Sequence, residues 1–334
     1  MSFLADDEFL LLMDIAHINE TGVDVDFIDE TGLKMLLDSG IKTTMPFQCM
    51  WNSIEKKEGV FDWSVLDKYI ERTTKVGMKT ILFSATHYPQ WFPDDWYPKD
   101  GLGNIHKEAL SPWNKEAQER NNSFSRMVIQ RYSSDQCLVV SPQLLCGETM
   151  FLNVAGFYGP HAIKDFHEKT GLDVPHPGDP ITDEWLKNSL LNMLLEQQRI
   201  FVENKFREIY TALHIAIGHF SFYGNGNKWI EDILQLWTNE LKPNKIIHIY
   251  YTWVQWGQFW SKMNEWKTNF NEDIFGGAEY CEGLPTTTPI AINNGLRGQI
   301  VAPCYPGQHD HVEDWMCNNI RNSISLFKQT KGIL

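Results

Sequence analysis

Eight short apolar runs, each followed by an amphipathic segment of helical period, recur in succession along the chain, and this alternation constrains the fold more than any other feature. Parallel strands need crossover helices, and closing the sheet on itself removes its exposed edges. The spacing predicts strands at 9–13, 41–47, 79–84, 137–145, 214–217, 245–251, 274–278 and 299–304. The predicted helices are 25–39 (closed by Gly40), 63–76 (stopped by Gly77), 114–132, 182–213, 229–241 (ended by Pro243), 257–270, 286–296 and 312–328. The expected fold class is α/β: a single (β/α)8 TIM barrel filling 1–334, with enlarged loops after strands three and four at 86–112 and 149–180. A doubly wound sheet is the competing architecture. It usually carries a glycine-rich turn after its first strand, where this chain has Asp14-Ile15-Ala16-His17 and no phosphate cradle.

Composition narrows the partners. With 43% hydrophobic and 13% aromatic residues, 334 residues bury a sizeable core. Against 43 Asp and Glu stand 29 Lys and Arg, a net charge of −14 that disfavours nucleic acid and anionic membrane surfaces. The first apolar run is preceded by Asp6, Asp7 and Glu8 and ends at Asp14, unlike a signal peptide, and nothing reaches the length of a membrane span; a cytoplasmic protein is expected. Six scattered cysteines form no CxxC, which suits thiols in a reducing compartment. No metal or cofactor is implied. His309-Asp310-His311 could ligate an ion, but it would need further ligands from other strand ends.

In a barrel the catalytic groups stand where apolar runs stop. Strand four runs into Cys146-Gly147-Glu148, and strand seven into Glu279-Tyr280-Cys281-Glu282-Gly283. These strands face one another across the expected mouth, so Glu148 and either Glu279 or Glu282 can meet over a bound sugar. Glycoside hydrolysis asks for such a pair: one carboxylic acid to protonate the leaving oxygen, one carboxylate to attack the anomeric carbon. Trp51, Tyr88, Trp91, Trp253 and Tyr305 are candidate stacking platforms for sugar faces, with core packing as the alternative for each. Gln48 and His87, after strands two and three, are candidate partners for sugar hydroxyls.

Several segments resemble clan A of the retaining glycoside hydrolases, which carry an acid/base Glu after strand four and a nucleophile Glu after strand seven. The most specific stretch is Trp51-Asn52-Ser53-Ile54-Glu55, followed by Glu58-Gly59-Val60-Phe61-Asp62-Trp63-Ser64-Val65-Leu66-Asp67. It is similar to the strand-two passage of family 42 β-galactosidases and their relatives, and Ala85-Thr86-His87-Tyr88-Pro89-Gln90-Trp91-Phe92-Pro93 is similar to the loop after their third strand. The resemblance implies the acid/base role for Glu148 and the nucleophile role for Glu279, with Glu282 as the other candidate.

The chain also departs from that pattern. Gly147 stands where most clan members have Asn before the acid/base Glu, and the four-cysteine zinc site of some family 42 enzymes has no counterpart. Cys146-Gly147-Glu148 also resembles the Gly-Glu of β-amylases, which are inverting barrels. The expected function is hydrolysis of an oligosaccharide or glycoside by double displacement. A transglycosylase or polysaccharide-assembly enzyme using the same carboxyl pair, or a non-catalytic glycan-binding barrel, are the alternatives; the sugar, the linkage and the oligomeric state are not legible.

Overall fold

The computed structural model describes residues 3, 10–13, 17–19, 22–24, 28–44, 51–85, 87–107, 109–140, 156–203, 209–212, 226–243, 246–253, 272–296, 298–302 and 311–332. Ten strands lie among them: β1 (Leu10–Met13), β2 (His17–Asn19), β3 (Gly22–Asp24), β4 (Thr43–Thr44), β5 (Lys79–Phe83), β6 (Cys137–Val140), β7 (Ile209–Ala212), β8 (Ile246–Trp253), β9 (Glu272–Tyr280) and β10 (Gly298–Ala302). Eight form one sheet in the order β6-β5-β4-β1-β10-β9-β8-β7, and every pair in it is parallel. The first strand therefore sits between the second and the last, and the two strands at the ends of the order, β6 and β7, come within contact of one another. The remaining two strands pair antiparallel as a small hairpin over 17–24.

The described helices are α1 (Glu30–Ser39), α2 (Trp51–Ile54), α3 (Ser64–Lys75), α4 (Lys115–Tyr132), α5 (Pro160–Thr170), α6 (Pro180–Phe201), α7 (Gly226–Leu241), α8 (Leu284–Asn293) and α9 (Asp314–Lys331). Side-chain caps start several of them, because the first backbone N–H groups of a helix have no internal acceptor. Asp29 accepts from Gly32 N at 2.7 Å, Asn114 from Ala117 N at 3.0 Å, and Asp179 from Ile181 N at 2.9 Å. Helix α1 ends at Gly40, whose φ of 113° lets its own N–H reach Leu37 O and the next N–H, of Ile41, reach Leu36 O, both at 3.0 Å.

The helices bury one face against the sheet. Phe166, Trp185, Leu186, Trp237, Leu284 and Ile320 belong to one apolar cluster; Trp51, Leu82, Phe124, Val128 and Val139 belong to a second. Buried polar groups at these seams are paired with one another. Gln299 of β10 accepts from Thr288 Oγ1 at 2.7 Å and donates to Thr287 Oγ1 at 2.9 Å, and Thr288 also bonds Ser323 of α9 at 2.9 Å. Such a satisfied clasp fixes the helix register on the strand, where an apolar contact alone would let it slide.

The βα succession read from the sequence is present, with corrections. The fifth strand is Ile209–Ala212, ahead of the expected 214–217, which lies outside the described residues; α6 stops at Phe201 instead of running to 213. The Ile-Tyr-Thr-Ala run continued the helical spacing of α6, but β-branched and aromatic residues favour the strand. Helix α1 starts at Glu30 rather than at 25: Asp29, in an extended conformation, caps it by accepting from Gly32 N. The enlarged loop expected after the fourth strand contains a helix, α5. The second strand is described only as Thr43–Thr44, and the helix expected at 257–270 lies outside the described residues. Strand β9 runs to Tyr280, two residues past its expected end, so Glu279 lies within it.

A Cβ at position 40 would stand 2.3 Å from Ile324 Cδ1 of α9, in a backbone conformation that side chains rarely adopt. Gly40→Ala is therefore expected to lower unfolding free energy by roughly 1–3 kcal/mol, measured by urea denaturation.

Candidate active site

The C-terminal ends of the parallel strands converge where α2, the loop after β5 and the tips of β8 and β9 lie. Their frame is set by Glu55, whose side chain is fully buried. Its Oε2 accepts the Trp51 indole N–H at 2.7 Å, and its Oε1 accepts the Gly59 N–H at 2.7 Å and the Arg120 guanidinium of α4. Its backbone carbonyl accepts the Trp91 indole N–H at 2.9 Å. A buried carboxylate is tolerated only when its lone pairs are filled and its charge matched, and Arg120 does both. One residue thus ties the turn after β4, the loop after β5 and the helix that follows it.

The same passage continues this frame outward. Arg131 grips Asp67 through two bonds, 3.0 and 2.6 Å, Tyr132 donates to Asp67 at 2.8 Å, and the Arg131 guanidinium lies 5.6 Å from the Trp63 ring centre. The Arg131 hydrogen bond holds the Asp67 carboxyl below the usual carboxylate range. The family-like stretch 51–67 is therefore a structural brace in which Trp51, Glu55, Gly59 and Asp67 each make a contact.

Trp51 and Tyr88 are corrected from sugar platforms to packing residues. Trp51 is 0% exposed, with its ring stacked on Phe124 at 4.1 Å and met edge-on by Phe92 and Tyr88; Tyr88 is 5% exposed. Their burial was the alternative that the sequence left open, and Phe92 and Phe124 decide it. Trp91 stays half-buried, its indole fixed on Glu55, and His87 is exposed.

The strand tops carry backbone irregularity. After β5, Ala85 and His87 have φ of 45° and 50°, a left-handed conformation unusual for residues with a Cβ, and His87 O accepts from Asn52 N at 2.8 Å. Desolvation by the surrounding protein lowers the pKa of the His87 imidazole, which favours the neutral ring. On β9 the ladder to β10 slips by one residue: Ile300 pairs with Gly277 and Val301 with Glu279, leaving Ala278 as a bulge. The β8–β9 ladder is likewise irregular between Ile249 and Trp253, where Trp253 pairs with Gly277. Bulges re-aim side chains and are enriched beside active sites. Both irregularities fall at candidate positions, Trp253 and Glu279.

Glu282 lies beyond β9 in a 3-10 turn, Cys281–Gly283, and is exposed. Glu148, Gln48 and Tyr305 lie outside the described residues, as do His309 and Asp310. Among the described residues no group of three metal-ligating side chains gathers, and no helix is long and apolar enough to cross a membrane. Sequence reasoning missed Glu55 and Arg120 as a pair. Glu55 stands within the motif, but its partner lies 65 positions on, a separation that no local pattern reveals.

The fold is of the α/β class, a parallel sheet with helices packed against it. The structure is similar to the catalytic domain of β-amylase from Paenibacillus polymyxa, with a TM-score of 0.72 at 13% identity over 96% of this chain and 99% of that one. It is also similar to a β-galactosidase from Halorubrum lacusprofundi, with a TM-score of 0.68 at 13% identity over 94% of this chain and 58% of that one. At such identities the likeness shows a shared fold. The sequence is more particular: residues 28–136 match the family model of glycoside hydrolase family 42, β-galactosidase. A 67-residue stretch is 33% identical to the β-galactosidase BgaH of Haloferax lucentense, covering 20% of this chain and 10% of that protein. The family 42 resemblance read from the motifs is thus borne out over the first part of the chain.

Two outcomes follow from the brace and the loop. Glu55→Ala strands Arg120 and is expected to cost about 3–5 kcal/mol, measured by chemical denaturation, whereas truncating the exposed Glu282 leaves stability within about 0.5 kcal/mol. In the loop after β5, Asp100 accepts from Asn104 Nδ2 and from the Leu102 and Asn104 N–H groups, and its pKa falls to about 2, chiefly through the Asn104 side chain. The folded carboxyl titrates below its unfolded value near 4, so this stabilisation is full above about pH 4 and is lost as pH falls toward 2. Amide exchange in 100–106 should accelerate over that window, after correction for intrinsic rates, and Asp100→Asn should flatten the effect.

Proposed function

We propose that the chain is a glycosidase acting by retaining double displacement at the C-terminal rim of a closed, single-domain (β/α)8 barrel over 1–334, with a galactose-bearing glycoside as its substrate class. The observation that carries this reading is the bulge at Ala278, which sets Glu279 at the tip of β9 inside a sheet whose first part matches family 42. Glu279 is the nucleophile in this reading, and the exposed Glu282 is set aside because a carboxylate in open solvent gains nothing from an enclosed site. Glu148, following β6, is the acid/base.

In the first step the Glu279 carboxylate attacks the anomeric carbon while Glu148 gives its proton to the departing oxygen; the glycosidic C–O bond breaks and a glycosyl ester on Glu279 forms. In the second, Glu148 takes a proton from water, whose oxygen displaces Glu279 with a second inversion and so a net retention. Trp91, Trp253 and Tyr305 serve as platforms and Gln48 and His87 as hydroxyl partners; a neutral His87 can accept as well as donate. The β-amylase likeness, which spans nearly both chains, together with Gly147-Glu148, favours a second reading in which water attacks directly and configuration inverts.

Aryl β-galactosides separate these readings. Glu148→Ala and Glu279→Ala should each reduce turnover by about 10²–10⁴-fold or more, and Glu282→Ala should change it little. Azide should rescue Glu279→Ala with a product of opposite configuration. Inverted product from the wild type establishes the amylase-like route instead, and undiminished turnover in Glu279→Ala removes that residue from the reaction.

A further inference from the structure

We infer that Tyr97 is a positioning residue of the strand-tip site: through the Pro89 carbonyl it fixes the segment 87–91, so that the His87 imidazole and the Trp91 ring meet a sugar in one preformed arrangement. Resting on the glycosidase reading above, this role belongs to substrate binding, apart from the carboxyls that break the bond. Between 85 and 91 every second position is tied down. Ala85 is fully buried, the His87 carbonyl accepts from Asn52 N at 2.8 Å, the Pro89 carbonyl accepts from the Tyr97 hydroxyl at 2.9 Å, and the Trp91 indole N–H donates to Glu55 O at 2.9 Å. Within this fixed backbone His87 and Gln90 are exposed and Trp91 is half-buried.

Tyr97 can hold the segment because it is itself held. Its side chain is 1% exposed in the apolar cluster that contains Phe92, Trp96 and Leu110, and it follows the 3-10 turn Asp94–Trp96, whose Trp96 carbonyl accepts from Ser111 N at 2.8 Å. Burial, with Asp94 nearby, pushes the phenol up to about 12, so the hydroxyl stays a donor at any ordinary pH. The Pro89 carbonyl also accepts from Phe92 N at 3.2 Å, a bond inside its own turn, and Tyr97 supplies the tie to the next turn. From Pro89 the constraint passes back to His87 through a stiff link. The proline ring fixes its own φ and disfavours helical backbone at Tyr88, whose buried ring meets Trp51 edge-on at 6.0 Å. His87 keeps its left-handed φ of 50° only while such contacts over-determine it.

An imidazole and an indole held in place touch hydroxyl and C–H groups that the ground state and the transition state share, so they lower KM and leave kcat alone. Tyr97→Phe removes one oxygen and keeps the buried ring. In the full chain it should raise KM for an aryl β-galactoside by about threefold to tenfold, the worth of one hydrogen bond, with kcat within about twofold. The His87 ring resonances, assigned by their loss in His87→Gln, should titrate nearer the ordinary imidazole range, because a relaxed segment readmits the water that the protein now excludes. Pro89→Ala, which keeps the carbonyl but frees φ, should shift both readouts in the same direction. Gly40→Ala, at the N-terminal end of β4, should lose stability and keep the wild-type KM.

Unchanged KM and an unchanged His87 titration in both loop variants overturn the role of Tyr97, as does a loss carried by kcat alone or an equal rise of KM in Gly40→Ala. A wild type that turns over no aryl β-galactoside overturns the reaction proposed at the strand tips. Tyr97 is then tested with methyl β-galactoside, which should move the His87 resonances of the wild type and need about threefold to tenfold more sugar to do so in Tyr97→Phe. A His87 ring that the sugar leaves unmoved in the wild type overturns the positioning role as well.

Discussion

The carboxylate of Glu55 is the interaction on which the candidate site depends. It is buried without residual exposure and held by the Trp51 indole and Gly59 amide of its own passage and by the Arg120 guanidinium of α4, while the Glu55 backbone carbonyl takes the Trp91 indole N–H from the loop after β5. Removing an ion from water is costly, and the cost is recovered only if every partner arrives together. The turn after β4, the loop after β5 and the start of α4 are therefore fixed as one unit. The stacked rings of Trp51, Phe124 and Trp63 then fill the space that the polar contacts define. Because this unit stands beside the strand tips, its rigidity is the condition for holding reacting groups in a constant geometry.

The division between regular and irregular backbone supports this reading. Through its lower rows the β9–β10 ladder is in register, from Gly298 opposite Phe275 to Ile300 opposite Gly277. Irregularity begins only toward the C-terminal end, at Ala278, beyond Ile249 and at the left-handed Ala85 and His87. Strain of this kind persists where surrounding contacts over-determine it, and here the Asn52 N–H on His87 O is one such contact.

Much of the fold is legible in the sequence because its determinants are local. Period and punctuation placed β5, β6, β8 and β10 and the starts of α4 and α7 close to where they lie. What the sequence hid was long-range or ambiguous in period. Ile209–Ala212 carried on the spacing of α6, the Asp29 cap set the start of α1 inside a longer helical pattern, and α5 sat inside a stretch rich in turn residues. For the site, residue type alone could not distinguish a sugar-stacking ring from a core ring. Trp51 and Trp91 both meet Phe92, and the stacking of Trp51 on Phe124 of the distant α4 is what separates them. Motif likeness pointed to the right passage, but the passage proves to be the brace beneath the chemistry.

The bulge at Ala278 has a consequence for how this protein tolerates change. Side chains alternate between the two faces of a strand, so the number of residues before a position decides which face it presents. The extra residue in β9 sets the facing of whatever follows it, independently of side-chain identity. Substitutions along the tip leave that parity intact, whereas loss of a single residue reverses it for Glu279 and Tyr280 at once. The facing of the tip therefore depends on chain length at this one point more than on the letters that compose it.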